Sequence, residues 1–283
     1  MRKFPGVAED EWVNFYILGT TFTALATGTG VAYTPRTINI DSDTDFLFAR
    51  TNHWMSQDSV PVDVYIKYKD DVSGRYLQKN ATLLRMLSGK AQVLDNSGSY
   101  DFRAMNWKAP YRISSNASFT IEAANAHAVI SPNLYLSFHG GKVYKGAAPY
   151  DRFVLRKMPF VYPLERSLST LPEGVVRISA NGSMQTSISI DKDAMFLTKA
   201  ISGSSTGECT IQVTEGGRDA AWMNQAIHFR TFAGSGAVPN VLPFPRLTGR
   251  SKTLSITLTD LSGAQNDVSL AFIGEKLFTK MEA

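Results

Sequence analysis

Val268-Ser-Leu-Ala-Phe-Ile-Gly-Glu-Lys-Leu-Phe278 is the last alternating apolar stretch of the chain, and a degenerate copy of it, Leu134-Tyr-Leu-Ser-Phe-His-Gly-Gly-Lys-Val-Tyr144, stands half a chain earlier. Leu134, Leu136, Phe138, Gly140, Lys142 and Tyr144 match Val268, Leu270, Phe272, Gly274, Lys276 and Phe278 at one offset (268 − 134 = 134). Apolar side chains at every second residue are the signature of a strand with one buried face. The chain therefore reads as a tandem duplication, each half closing on the same strand. The Gly-x-Lys tail of each copy reads as a strand-end bulge with a solvated lysine.

A second repeat lies upstream. Ile38-Asn-Ile-Asp41-Ser-Asp43-Thr-Asp45-Phe46-Leu47 matches Ile188-Ser-Ile-Asp191-Lys-Asp193-Ala-Met-Phe196-Leu197 at its own offset (188 − 38 = 150). Both copies read strand, acidic turn, strand, as a β-hairpin or a corner between sheets, with the isoleucines inward and the aspartates bonded to turn amides. Weaker echoes fill the gaps. Tyr16 and Leu18 align with Tyr162 and Leu164, and Val62-Asp-Val-Tyr-Ile-Lys-Tyr68 parallels Cys209-Thr-Ile-Gln-Val213. Arg85, Leu87 and Gly89 align with Arg230, Phe232 and Gly234, where a short helical turn or a strand fits equally. Ser118–Glu122 and Thr253–Leu258 are further alternating strands.

Seven or eight short strands per half, broken by Gly, Pro, Ser and Asn turns, define an all-β chain of two tandem antiparallel β-sandwiches, jelly-roll-like. The expected divisions are an N-terminal arm over 1–11, a first domain over 12–145, a linker over 146–157 and a second domain over 158–283. The insertion at Ala91–Arg103 in the first half reads as a surface loop.

The chain has 283 residues, 43% apolar and 19% charged, enough for two cores. One cysteine, Cys209, forbids an internal disulfide and falls on an inward position, as a small core residue. No apolar run is long enough to span a bilayer and no signal-peptide core follows the N-terminal charges, so a soluble protein made in the cytoplasm is expected, without membrane contact. The net charge of +4 is scattered and not gathered into a basic run, so direct nucleic-acid binding is not expected.

Candidate sites are few. Asp41, Asp43 and Asp45 present alternate carboxylates, as calcium loops do, but the second copy has Met195 in place of the third acid, and a structural turn is the better reading. His53, His127, His139 and His228 lack the close spacing of local zinc or nucleophilic sites. No catalytic motif can be quoted, and no cofactor is expected. Trp12, Trp54, Trp107 and Trp222 could form a sugar-stacking platform, although core and interface packing explains them better. Trp107-Lys-Ala-Pro110-Tyr-Arg-Ile113 and Phe244-Pro245-Arg246-Leu247 each place an aromatic and a proline before a basic-apolar pair, which suits a loop or a sheet edge.

At the Ile-x-Ile-Asp-x-Asp turn, the Pro245-Arg246 segment and the Leu261-Ser-Gly-Ala-Gln-Asn266 turn before the closing strand, the second half resembles small virion structural proteins of tailed bacteriophages. The likeness covers most of residues 160 to 278 and, more faintly, 12 to 144. It implies a non-enzymatic part of the particle, either a head decoration protein or a neck/collar component. Its expected partners are capsid, portal or neck proteins and further copies of itself, in a virion assembled in the host bacterial cytoplasm. Trp107, Pro110, Phe244, Pro245 and Arg246 are then the expected contact residues. The alternative is a receptor- or glycan-binding module of the particle.

Overall fold

The structure, a computed structural model, describes residues 7–28, 32–56, 63–90, 92–93, 100–101, 110–146, 148, 154–216 and 221–279. Val62, Trp107 and most of the Ala91–Arg103 insertion lie outside the described residues.

Four sheets make two sandwiches. Sheet I orders Glu11–Phe22, Leu134–Lys145, Asp45–Met55 and Tyr111–Ile113, and sheet II orders Thr34–Asn39, Ser118–Asn125, Val64–Asp70 and Thr82–Leu83, with Arg75–Tyr76 also paired to Val64–Asp70. Sheet III repeats the first with Val154–Pro163, Asn266–Thr279, Met195–Ser205 and Asn240–Thr248; sheet IV repeats the second with Ser183–Ser189, Thr253–Asp260, Cys209–Glu215 and Ile227–His228. Counted along these eight principal strands, each half pairs 1-8-3-6 in one sheet and 2-7-4-5 in the other. That order is two Greek keys wound into a jelly roll. The second sandwich begins at Val154, four residues before the expected boundary (158 − 154).

Both repeat offsets reappear as hydrogen-bond register. Leu134 pairs with Met55 and Val268 with Ser205; Lys142 pairs with Phe46 and Lys276 with Phe196. Each ladder skips one residue at the same place, leaving Ala49 and Lys199 as the extra residues of two equivalent bulges. The glycines of the two tails sit at these bulges because the neighbouring strand comes too close for a Cβ. A methyl on Gly140 would meet the Leu47 carbonyl and the Phe46 ring, and one on Gly274 would meet the Leu197 carbonyl. The one-turn helices Leu84–Leu87 and Phe229–Phe232 are also equivalent, each leading to a glycine, Gly89 or Gly234, that runs parallel to Asn52 or Ser202.

Inward positions fill two cores. Phe48, Tyr68, Phe119 and Phe138 cluster with ring centroids 5.6 to 5.9 Å apart in the first. Phe196, Cys209, Ile211, Val213 and Phe272 are fully enclosed in the second, where burial pushes the Cys209 thiol up to about 12. Each buried large apolar side chain contributes about 1.5–3 kcal/mol.

Of the two readings of the acidic turns, hairpin or corner, the corner holds, because Thr34–Asn39 and Asp45–Met55 belong to opposite sheets of one sandwich, as do Ser183–Ser189 and Met195–Ser205. Two expectations are revised. Tyr16 lies opposite Gly140 and Phe160 opposite Gly274, so Tyr16 corresponds to Phe160, two residues from the Tyr162 alignment. An even slip keeps the same face inward, so alternation alone does not resist it. Arg246 pairs with Thr198 and Arg112 with Leu47, so the two arginines are one register step apart and point to opposite faces.

Gly274→Ala should destabilise the second sandwich by about 3 kcal/mol, because backbone must move to admit the methyl. Gly236→Ala, where an added methyl meets nothing, should leave stability within about 0.5 kcal/mol. Urea unfolding of both variants checks the pair.

Candidate functional site

The corner aspartates and the Gly-x-Lys lysines form one feature. Lys142 Nζ stands 2.7 Å from Asp41 Oδ2 and 3.5 Å from Asp43 Oδ1, and 4.9 Å from the centre of the Tyr16 ring. In the second half Lys276 pairs with Asp191 and lies 3.7 Å from the Phe160 ring centre. Both lysines are buried, which corrects the expectation of a solvated side chain. Burial opposes the charge on each most strongly, but the hydrogen bond to Asp41 or Asp191 and the charges of the corner aspartates together outweigh it and hold both ammonium groups above their ordinary pKa. The hydrogen bond from Lys276 in turn lowers the Asp191 pKa.

A cleft of about 360 Å³ opens over the first pair, lined by Tyr16, Asp41, Ser42, Asp43, Lys142 and Ala221. Its carboxylates already face a cation of the chain itself. Asp45, the third acid of the triplet, turns elsewhere: it accepts from Arg112 Nε at 2.7 Å and from the Ser115 amide at 2.8 Å, while Arg112 also reaches Glu11. The three aspartates thus divide between two basic side chains and do not converge on one point. Among the described residues no group of three or more His, Cys, Asp or Glu side chains is placed to hold a metal.

The larger assembly of polar groups lies where the second half covers the outer face of sheet I. Phe15 and Ile17 point from that face into the second core, beside Trp222 and Met223. The Ile17 amide donates to the Trp222 carbonyl at 2.9 Å, the Asn224 amide donates to the Ile17 carbonyl at 3.2 Å, and Asn224 Oδ1 accepts from the Gly19 amide. A segment of the second sandwich therefore pairs with the edge strand of the first.

Beside this bridge, Arg50 is enclosed with neutral acceptors. Its guanidinium donates to the Val241 carbonyl at 3.0 Å and to Asn240 Oδ1 at 2.6 Å, and approaches His139 Nδ1 at 3.4 Å. Burial alone pushes Arg50 down to about 10. Asn52 donates to the Thr231 carbonyl at 3.0 Å, and His139 Nε2 stands 3.0 Å from both that carbonyl and Ser137 Oγ. Trp54 stacks on His228 with centroids 5.1 Å apart and planes 11° from parallel. Burial, reinforced by Arg50 for His139 and by Arg230 for His228, holds both imidazoles neutral, well below the ordinary histidine pKa.

The nominated contact residues belong largely to this junction. Phe244 is 1% exposed and packs on Val13, Leu47, Ala49 and Val143 of sheet I. Arg246, 2% exposed, donates to the Phe15 carbonyl at 3.0 Å and lies 3.5 Å from Glu215. The Phe244-Pro245-Arg246 segment is thus the edge strand of sheet III, as the sheet-edge reading expects, but Phe244 and Arg246 face the first half and are not offered to another protein. Pro245 and Pro110 are half-buried, and Trp107 lies outside the described residues. Trp54 and Trp222 are buried at the junction, so neither is a face for a sugar.

Arg50, Asn52, His139 and Asn240 escape sequence reasoning because polar residues at outward strand positions look solvent-facing. The available signal was the unbroken apolar run Phe15-Tyr-Ile-Leu18, which marks a strand buried on both faces.

The junction should weaken on mild acidification. Unfolding returns His139 and His228 to a pKa near 6.5, so below that pH the unfolded chain binds protons that the folded chain refuses, and stability falls with pH. Two histidines give a slope of up to about 2.7 kcal/mol per pH unit. Chemical unfolding between pH 7.5 and 5 should show it, and His139→Gln or His228→Gln should each flatten it.

No family model matches this chain, and no curated protein matches it. Among solved structures it is similar to a peptide-N(4)-(N-acetyl-β-D-glucosaminyl) asparagine amidase, 9% identical, with 95% of this chain and 98% of that one covered at a TM-score of 0.24. It is also similar to the N-terminal tandem CBM22-1–CBM22-2 domain of Xyn10C from Paenibacillus barcinonensis, 11% identical, with 95% and 94% covered at a TM-score of 0.21.

Proposed function

We propose that this chain is a non-enzymatic structural subunit of a bacteriophage particle, set into the head or the neck/collar by contacts with other virion proteins and with copies of itself. The observation that supports this best is the junction: the polar groups that could have formed an accessible site instead lock two equivalent jelly rolls into one block. Jelly rolls recur in viral shells, a fold-level analogy that points the same way. The corner charges serve the same end, since Lys142 and Lys276 engage Asp41 and Asp191 inside each sandwich.

The block also alters how the duplication serves assembly. Two modules on a free linker gain avidity by binding separately. Here the second half covers the first, so the pair docks as a unit with one fixed spacing. Among the described residues no helix is long and apolar enough to cross a membrane. The glycan-platform alternative loses two of its four tryptophans to the junction.

Particles purified through a density gradient from a culture producing the protein should contain it in many copies, by mass spectrometry and by antibody labelling in electron micrographs. Its absence from such particles overturns the proposal.

A further inference from the structure

The duplication makes the two outer sheet faces directly comparable. In sheet I the outer face is sealed by the second sandwich: Ile17 and His139 are fully buried. The equivalent positions in sheet III are Val161, opposite Ile273 as Ile17 is opposite His139, and Val161 is 48% exposed. Ile273 is partly exposed. An apolar pair thus stands open where its counterpart is covered.

The edge beside it is prepared for the same bridge. Ile17 uses its outward amide and carbonyl to pair with Trp222 and Asn224. In the equivalent strand Leu164 donates its amide inward to Leu270, so by alternation the amide of Val161 points outward, and so would those of residues 159 and 163. Both of these are prolines, which have no amide to offer. The edge is blunted on each side of Val161 and left able to accept one bridge there.

The complementary element exists as well, on the first sandwich. The Leu77 amide donates to the Tyr68 carbonyl as the Trp222 amide donates to Val213, so the segment from Leu77 is anchored in the pose of the segment from Trp222. On the helical turn that follows, Met86 occupies the position of Thr231, whose carbonyl contacts His139. Met86 is 65% exposed and Thr231 1%. The first sandwich therefore presents, with Met86 exposed, the counterpart of the edge with which the second sandwich covers sheet I, its Gln78 side chain turned back onto the Tyr68 amide and the Ile66 carbonyl.

We infer that the Val161–Ile273 face of sheet III receives the Leu77–Leu87 edge of a second copy of this chain, repeating between chains the contact that joins the halves within one. The contact is head-to-tail: each copy carries one face and one edge, and the array closes into a ring where the rotation allows. This rests on the self-assembly in the proposed function but names the surfaces that make it.

Two variants test it. Ile273→Glu disables the face and Met86→Glu the edge, and both residues are exposed enough for the fold to survive, as circular dichroism and thermal melting of the full chain will show. By sedimentation velocity the unaltered chain should form oligomers, and each variant should self-associate at least tenfold more weakly. An equimolar mixture should stop at dimers, because one intact face meets one intact edge and no more. Variants that assemble like the parent, or a mixture that stays monomeric, overturn the assigned surfaces. A parent chain monomeric at every concentration reached overturns them too, yet its presence in purified particles would leave the virion role standing.

Discussion

A lysine ammonium held over an aromatic ring and tied to a corner aspartate joins the three parts of each sandwich that the chain meets at different times. Lys142 comes from the eighth principal strand, Tyr16 from the first and Asp41 from the corner between sheets; Lys276, Phe160 and Asp191 repeat the set. In a jelly roll the first and last strands are neighbours, so the fold is completed only when the last arrives. A buried charge tolerates misplacement poorly, because losing its partner leaves the ammonium uncompensated. The interaction therefore selects one register out of those that apolar alternation alone would permit.

The bulge and its glycine follow from the same arrangement. The extra residue at Ala49 or Lys199 shifts the ladder, and Gly140 or Gly274 lets the strands close up beside it. Two residues further on, the lysine then falls on the inward face over its ring. Gly-x-Lys is thus one structural unit, the glycine admitting the approach and the lysine using it.

Much of this was legible in the sequence. The repeat offsets are preserved in register, because positions that must pair keep their spacing: Leu134 with Met55 and Val268 with Ser205. What was not legible has physical reasons. Period-2 patterning does not detect a slip of two, hence the misalignment of Tyr16. It cannot distinguish a hairpin from a corner, since both reverse the chain after Ile40 or Ile190. A lysine at the end of a strand reads as solvated until the ring beneath it and the aspartate beside it are brought together from distant segments. Above all, a polar residue facing another part of the same chain is indistinguishable from one facing water, so Arg50, Asn52 and His139 gave no sign of the junction, and the proline-containing Phe244 segment, legible as a sheet edge, gave no sign that the first half covers it.

The enclosure of Arg50 has a bearing on the conditions the molecule can endure. Mobile ions weaken an attraction by gathering around exposed charges, over a distance of about 8–10 Å in ordinary saline. Arg50 is shut away from them and is held by the dipoles of Asn240 and the Val241 carbonyl, and among the described residues no carboxylate is paired with it. The Arg50 contact is consequently little screened by salt, and the Arg246–Glu215 pair of the same joint, itself buried, is screened much less than a surface pair would be.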